Sequence, residues 1–138
     1  MIRIEPGAWE VMVNHAKLCF PNECCGVLFG DTDGDVKTGK FAVPMKNTYQ
    51  GSQADRYELG QTELLAADEK AREQGLEMLA IFHSHPDCDA YFSATDLKNS
   101  SSWYSFIVLS IKGGEFSHAR SFMPNPEQTE APEEQLVY

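Results

Sequence analysis

Long apolar runs, a signal-type N-terminus and clusters of basic residues are all missing from this chain of 138 residues. No apolar run approaches the roughly 20 residues of a membrane-spanning helix. The opening Met1-Ile2-Arg3-Ile4-Glu5-Pro6 has no basic region followed by an apolar stretch, as a signal peptide would. The expectation is a soluble, cytoplasmic protein with no membrane partner. Basic residues number 11 against 21 acidic ones, for a formal net charge of −10. Without a Lys/Arg cluster, phosphate-dominated binding to nucleic acid is not expected. Cysteine is scarce: Cys19, Cys24, Cys25 and Cys88 form no C-x-x-C pair. Reduced thiols are expected, with Cys19, Cys24 and Cys25 as small core residues and Cys88 as a loop residue. The lack of a P-C-x-x-C run also removes the thiolate ligands that a zinc nucleoside deaminase needs. No internal repeat is visible.

What is present suits a single α/β domain. The chain is 42% hydrophobic, enough for a buried core. Residues 2–4 read as a short strand, and Pro6 suits the first position of a helix. Trp9, Met12, Val13, Ala16 and Phe20 continue its apolar stripe until Pro21. Cys24 to Phe29 reads as a strand closed by a turn at Gly30-Asp31. Asp33-Gly34-Asp35 is a hairpin signal, with Val36 to Met45 returning. Asn47 to Asp55 reads as a loop and Arg56 to Leu59 as a short strand. Thr62 to Gln74 is a helix with Leu64, Leu65, Ala67 and Ala71 inside, stopped by Gly75. Glu77 to Phe82 is a buried strand, Pro86 to Phe92 a loop, and Ser93 opens a third helix. Ser105 to Ile111 and Glu115 to Phe122 are strands across Lys112-Gly113-Gly114. The expected domain is 1–123. The acidic, proline-containing tail 124–138 is expected to be extended or disordered, although Leu136-Val137-Tyr138 has the character of a docking segment.

The chemistry concentrates in His83-Ser84-His85-Pro86, Ser93 and Asp96. Side chains alternate along a strand, so His83 and His85 point one way and Ser84 the other. Ser93 and Asp96 are one helical turn apart and face one place. Two imidazoles and a carboxylate with an open fourth position suit a hydrolytic zinc. Ser93-Ala94-Thr95-Asp96 is also a capping box, S-x-x-D; one serine can do both. A zinc hydrolase needs a base. Glu23, at the edge of an apolar run, is either solvated or recruited to that role, and Asp87 and Asp89 are rivals. Glu63, Glu69 and Glu73 read as the solvent face of a helix.

These residues resemble the JAMM (MPN-domain) zinc metalloproteases. The family motif is an upstream glutamate, H-x-H-P, six residues, S, two residues and D, matched here by Glu23, His83 to Pro86, Ser93 and Asp96. Pro21-Asn22-Glu23-Cys24-Cys25-Gly26-Val27-Leu28 and Arg56-Tyr57-Glu58-Leu59 resemble the small bacterial branch, similar to sulfur-carrier peptidases of the CysO-cysteine type. The resemblance covers Met1 to Phe122. It implies an MPN fold, a single domain with a curved central mixed sheet flanked by helices. It implies zinc held by His83, His85 and Asp96, Glu23 as general base, and Ser93 as hydrogen-bond donor to the oxyanion. It implies hydrolysis of an amide or isopeptide bond after the C-terminal Gly-Gly of a ubiquitin-like sulfur carrier, the tail pairing with a strand edge. The other readings are a non-catalytic MPN scaffold and a metallopeptidase for small or cell-wall peptides. Relatives often carry proline before the serine, where Phe92 stands here. Oligomeric state is open, a homodimer included.

Overall fold

The computed structural model describes residues 1–138. In chain order the elements are β1 (Ile2–Ile4), α1 (Pro6–Cys19), β2 (Cys25–Asp33), β3 (Val36–Met45), α2 (Gln61–Glu73), β4 (Glu77–Pro86), α3 (Ala94–Lys98), β5 (Ser105–Lys112), β6 (Glu115–Phe122), β7 (Glu133–Glu134) and β8 (Leu136–Val137). No helix is long and apolar enough to cross a membrane.

All eight strands form one mixed sheet in the order β7-β6-β5-β4-β2-β3-β1-β8. The pairs β1–β3, β1–β8 and β4–β5 are parallel; the rest are antiparallel. Strand alternation gives the sheet a core on each face. Ala80 and Phe82 of β4 pack with Leu28, Ile107 and Leu109 beneath Ala8, Met12 and Ala16 of α1. Ile81, one residue out of step, packs with Cys25, Val27 and Phe106 against Ala67 and Ala71 of α2. β4 lies between β2 and β5, which explains its nearly unbroken apolar run.

Close backbone approach fixes β2. At Gly26 an added Cβ would strike the Phe82 ring and the Val43 carbonyl, and at Gly30 the Thr38 carbonyl. Gly30 therefore sits inside the strand, beside a register shift between Phe29 and Gly30. The turn expected at Gly30-Asp31 is absent, and the chain reverses at the expected hairpin, where Gly34 has φ of 60°. The strand expected over Arg56 to Leu59 reduces to one bridge, Asn47 to Leu59, because the Asn47 side chain and the Thr48 N–H take the backbone groups of Arg56 and Glu58. Leu65 points outward at 66% exposure, leaving Leu64, Ala67 and Ala71 as the packing face of α2.

The tail differs most from expectation. It is ordered and built into the sheet. β7 pairs with β6 at one edge, and β8, two residues further on, pairs with β1 at the other. The same short segment thus touches both edges, and the curled sheet nearly closes. Tyr138 stacks on Trp9 with centroids 4.0 Å apart. Glu134 is buried and accepts hydrogen bonds from Ser105 and, at 2.9 Å, from Ser121. Its other oxygen lies 3.1 Å from Lys37 Nζ. Of the acidic residues that suggest disorder in a tail, Glu134 is buried in an internal ion pair, Glu133 pairs with Arg120, and Glu127 and Glu130 are exposed. Glu134→Ala would leave Lys37 and two serine hydroxyls without their acceptor. A loss of about 2–3 kcal/mol is expected, read as a lower urea midpoint, with Glu134→Gln recovering part of it.

Candidate metal centre

His83 and His85 extend β4 beyond the end expected at Phe82. His83 is paired on both sides, opposite Cys25 of β2 and Val108 of β5, while His85 lies past the end of the β2 ladder and pairs with Ser110 of β5. Both imidazoles share the face of Ile81. Ser84 points the other way and accepts a hydrogen bond from the Cys24 backbone N–H at 2.8 Å. That bond ties β4 to the residue following Glu23.

Asp96 arrives from α3. Ser93 is the N-cap: its hydroxyl accepts from the Asp96 N–H at 3.0 Å, and Asp96 Oδ2 accepts from the Ser93 N–H at 3.0 Å. This is the expected capping box. The same Oδ2 lies 3.3 Å from His83 Nε2 and 3.2 Å from His85 Nε2, and the two Nε2 atoms are 3.3 Å apart. Three donor atoms therefore form a nearly equilateral triangle. Zinc bonds of about 2.0–2.1 Å in a tetrahedron require ligand atoms about 3.3–3.4 Å apart, so the triangle fits zinc without rearrangement.

Second contacts prepare these atoms. His85 Nδ1 lies 3.1 Å from the Asp89 carbonyl. A carbonyl only accepts, so Nδ1 carries the proton and Nε2 presents its lone pair to the triangle. The loop bearing Asp89 is pinned to the β5–β6 hairpin. Ala90 N–H donates to His118 Nε2 at 3.0 Å, Ser110 donates to the Cys88 carbonyl, and Lys112 pairs with Asp89. The Tyr57 ring stacks on His83 at 4.6 Å, while His83 Nδ1 has no hydrogen-bond partner. Burial lowers the His83 pKa against the pull of Asp96. Burial would raise Asp96, but the neighbouring His83, the close approach of both imidazoles and the Ser93 N–H hold it well below the usual carboxylate range. A metal takes neutral imidazole and ionised carboxylate, the directions in which burial moves His83 and its neighbours move Asp96.

Glu23 is buried beside the imidazoles, not solvated. It is 5% exposed, with Oε1 lacking any partner. Ligand atoms of Glu23, His83 and His85 all lie within 4.8 Å of one another. Asp96 is the tighter neighbour of the imidazoles, so the triangle belongs to Asp96, with Glu23 beside it. Burial, then Asp96, then Asp55 push the Glu23 pKa up to about 8. The rivals serve elsewhere: Asp87 accepts from the Gly113 N–H and Asp89 pairs with Lys112, both at the surface. Glu63, Glu69 and Glu73 are exposed, as expected. Burial raises the Cys25 thiol to about 12 and Cys24 further still; Cys88 is exposed.

Residues 47–58 hold Glu23, a role no sequence signal indicated. Glu23 N–H donates to the Gln53 carbonyl at 2.6 Å. Asn47 Nδ2 donates to the carbonyls of Glu23 at 3.2 Å and Arg56 at 3.0 Å. A lone asparagine in a polar loop reads as a turn residue, and only the folded contacts distinguish it. A groove of about 540 Å³ runs from Asp96 past Thr95 and Phe106 to Arg56. Phe92, in the place of the family proline, packs on Phe106 and Phe122. Its side chain anchors the loop that a proline ring would stiffen.

The family model described as prokaryotic homologs of the JAB domain matches residues 5–124. The chain is 34% identical over 100 residues to a desampylase of Haloferax volcanii, covering 71% of this chain and 69% of that protein. It is 36% identical over 90 residues to a CysO-cysteine peptidase of Mycobacterium tuberculosis, covering 64% of this chain and 58% of the relative, less than two thirds of its length. A solution structure of a Desulfitobacterium hafniense protein matches 99% of this chain and 92% of its own, at 30% identity and a TM-score of 0.85. A JAB1/MPN-domain protein from Archaeoglobus fulgidus, 15% identical, matches 100% of both chains with a TM-score of 0.61, a likeness of fold.

Proposed function

The chain belongs to the family of prokaryotic homologs of the JAB domain, and we propose that it is a zinc peptidase that hydrolyses the amide or isopeptide bond after the C-terminal Gly-Gly of a ubiquitin-like sulfur carrier. The observation that carries this reading is the triangle of His83, His85 and Asp96 with the buried, unpartnered Glu23 carboxylate alongside. Relatives named desampylase and CysO-cysteine peptidase, hydrolases of ubiquitin-like protein tails, support the substrate class.

His83, His85 and Asp96 would hold zinc. When bound, zinc supplies Lewis acidity and lowers the pKa of water into the neutral range. Glu23 takes the proton of the attacking water and returns it to the leaving amine. Burial raises its pKa to about 8 in the metal-free protein, and a bound cation would favour the ionised form that accepts a proton. The Ser93 hydroxyl accepts from the Asp96 N–H, so its own proton is free to be donated to an oxyanion. Capping and catalysis use different parts of the same hydroxyl.

The test is incubation of the zinc-loaded protein with a ubiquitin-like sulfur carrier extended by one residue beyond Gly-Gly. Mass spectrometry should show removal of that residue and nothing before it. An intact extension after prolonged incubation of zinc-loaded protein would overturn the reading.

A further inference from the structure

His85, Ser110 and His118 form one row across β4, β5 and β6. Ser110 is the register partner of His85 on one side and of His118 on the other. Paired positions on neighbouring strands carry their side chains to the same face. The three side chains hold three successive backbone groups of the loop after β4. Ser110 donates to the Cys88 carbonyl, His85 Nδ1 donates to the Asp89 carbonyl at 3.1 Å, and His118 Nε2 accepts from the Ala90 N–H at 3.0 Å. The last two groups belong to one peptide unit, the bond between Asp89 and Ala90. His85 and His118 therefore hold opposite edges of a single amide.

Backbone chemistry fixes both rings. A backbone N–H only donates, so His118 Nε2 carries a lone pair. The ring proton is then on Nδ1, which donates to Ser117 Oγ at 3.0 Å. The hydrogen bonds run one way, from His85 Nδ1–H through the amide and His118 to Ser117. Bonds in such a chain strengthen one another. Ala90 is buried, so its N–H depends on His118 and not on solvent. Without that acceptor the peptide must turn to satisfy its donor. Turning it carries the Asp89 carbonyl away from His85 Nδ1.

Building on the reading of His83, His85 and Asp96 as metal ligands, we propose that His118 is a positioning residue for His85. It fixes the 89–90 peptide, and that peptide fixes the ring orientation and the Nδ1 proton that leave His85 Nε2 facing the triangle. His118 stands two strands from His85 and acts only through the amide between them.

The experiment compares wild type with His118→Leu, His118→Asn and His118→Gln. The glutamine oxygen reaches as far as Nε2 and can accept from Ala90. Asparagine falls one carbon short, and leucine has no acceptor. Zinc affinity, measured by competition with a chromophoric chelator, should fall about tenfold in His118→Leu and His118→Asn and stay within about threefold of wild type in His118→Gln. The visible absorption of cobalt bound in place of zinc should shift in the first two variants and not in the third. Amide exchange of the metal-free protein supplies a reading without metal: Ala90 N–H should be protected in wild type and His118→Gln, and exchange at least about tenfold faster in the other two. The pair His118→Gln and His118→Asn decides the matter even where His118→Leu does not fold. A purely stabilising role would lower the urea midpoint of the variants and leave zinc affinity and the cobalt spectrum unmoved, and that result would overturn the assignment alone. Wild type that takes up neither zinc nor cobalt, with the expected exchange pattern at Ala90, would support the hold on the peptide and overturn the metal reading.

Discussion

Glu23→Gln is expected to lower kcat by about a thousandfold while leaving about one zinc bound per chain. The substitution preserves shape and removes the proton acceptor. The imidazoles and Asp96 touch one another, not Glu23 through any hydrogen bond, so the metal triangle should survive. Elemental analysis and turnover of the extended carrier together check this. Full activity in a zinc-loaded Glu23→Gln protein would remove Glu23 from the chemistry.

The same substitution should raise the stability of the metal-free protein. Folded Glu23 keeps its proton up to about pH 8, whereas an unfolded glutamate releases it near 4.5. Below pH 4.5 both states are protonated and the group costs nothing. As the pH rises toward 8 the unfolded state gains by ionising and the folded state does not, so stability falls across that window. Glutamine cannot ionise, and at pH 8 it should recover roughly 2–4 kcal/mol. Denaturation of chelated wild type and variant at pH 5 and pH 8 measures the difference. A gain at pH 8 that shrinks to a small fraction at pH 5 identifies the buried carboxyl as the cause.

Asp96→Ala should reduce zinc affinity at least a hundredfold and abolish turnover. One oxygen of Asp96 lies within 3.3 Å of both imidazoles and also accepts from the Ser93 N–H. Removing a ligand outright exceeds the 10–100-fold effect typical of second-contact changes. The lost cap should also loosen α3, at about 1 kcal/mol. Asp96→Asn separates the two roles: its amide oxygen can still accept from Ser93, but it is a poor zinc ligand. Amide exchange in α3 should stay near wild type in Asn and rise in Ala, while both lose zinc. Zinc retained at one per chain in Asp96→Ala would mean that Glu23 completes the triangle.

Local chemistry was legible where it acts over a few residues. The alternation of His83 and His85, the capping box at Ser93, Pro6 at the start of α1 and Gly34 in the β2–β3 hairpin each depend on near neighbours, and each stands in the fold as read. Errors fell where neighbours in space decide. Gly30 reads as a turn residue, yet the Thr38 carbonyl crossing it makes it a strand residue. Arg56 to Leu59 has strand character, but a bridge at Leu59 and the contacts of Asn47 use its backbone groups instead.

The sequence by itself determined the faces of the central strand and the capping role of Ser93, because periodicity and capping are short-range. Its motif pointed to Glu23 only through family resemblance. The tertiary structure decided that Glu23 is buried beside the imidazoles, because the β2–β4 register sets Cys25 opposite His83. It also decided the fate of the tail. Residues 133–137 are too polar to fold alone, but a strongly curled sheet brings two edges within reach of one short segment, and backbone pairing at both edges with the buried Glu134–Lys37 pair holds it there.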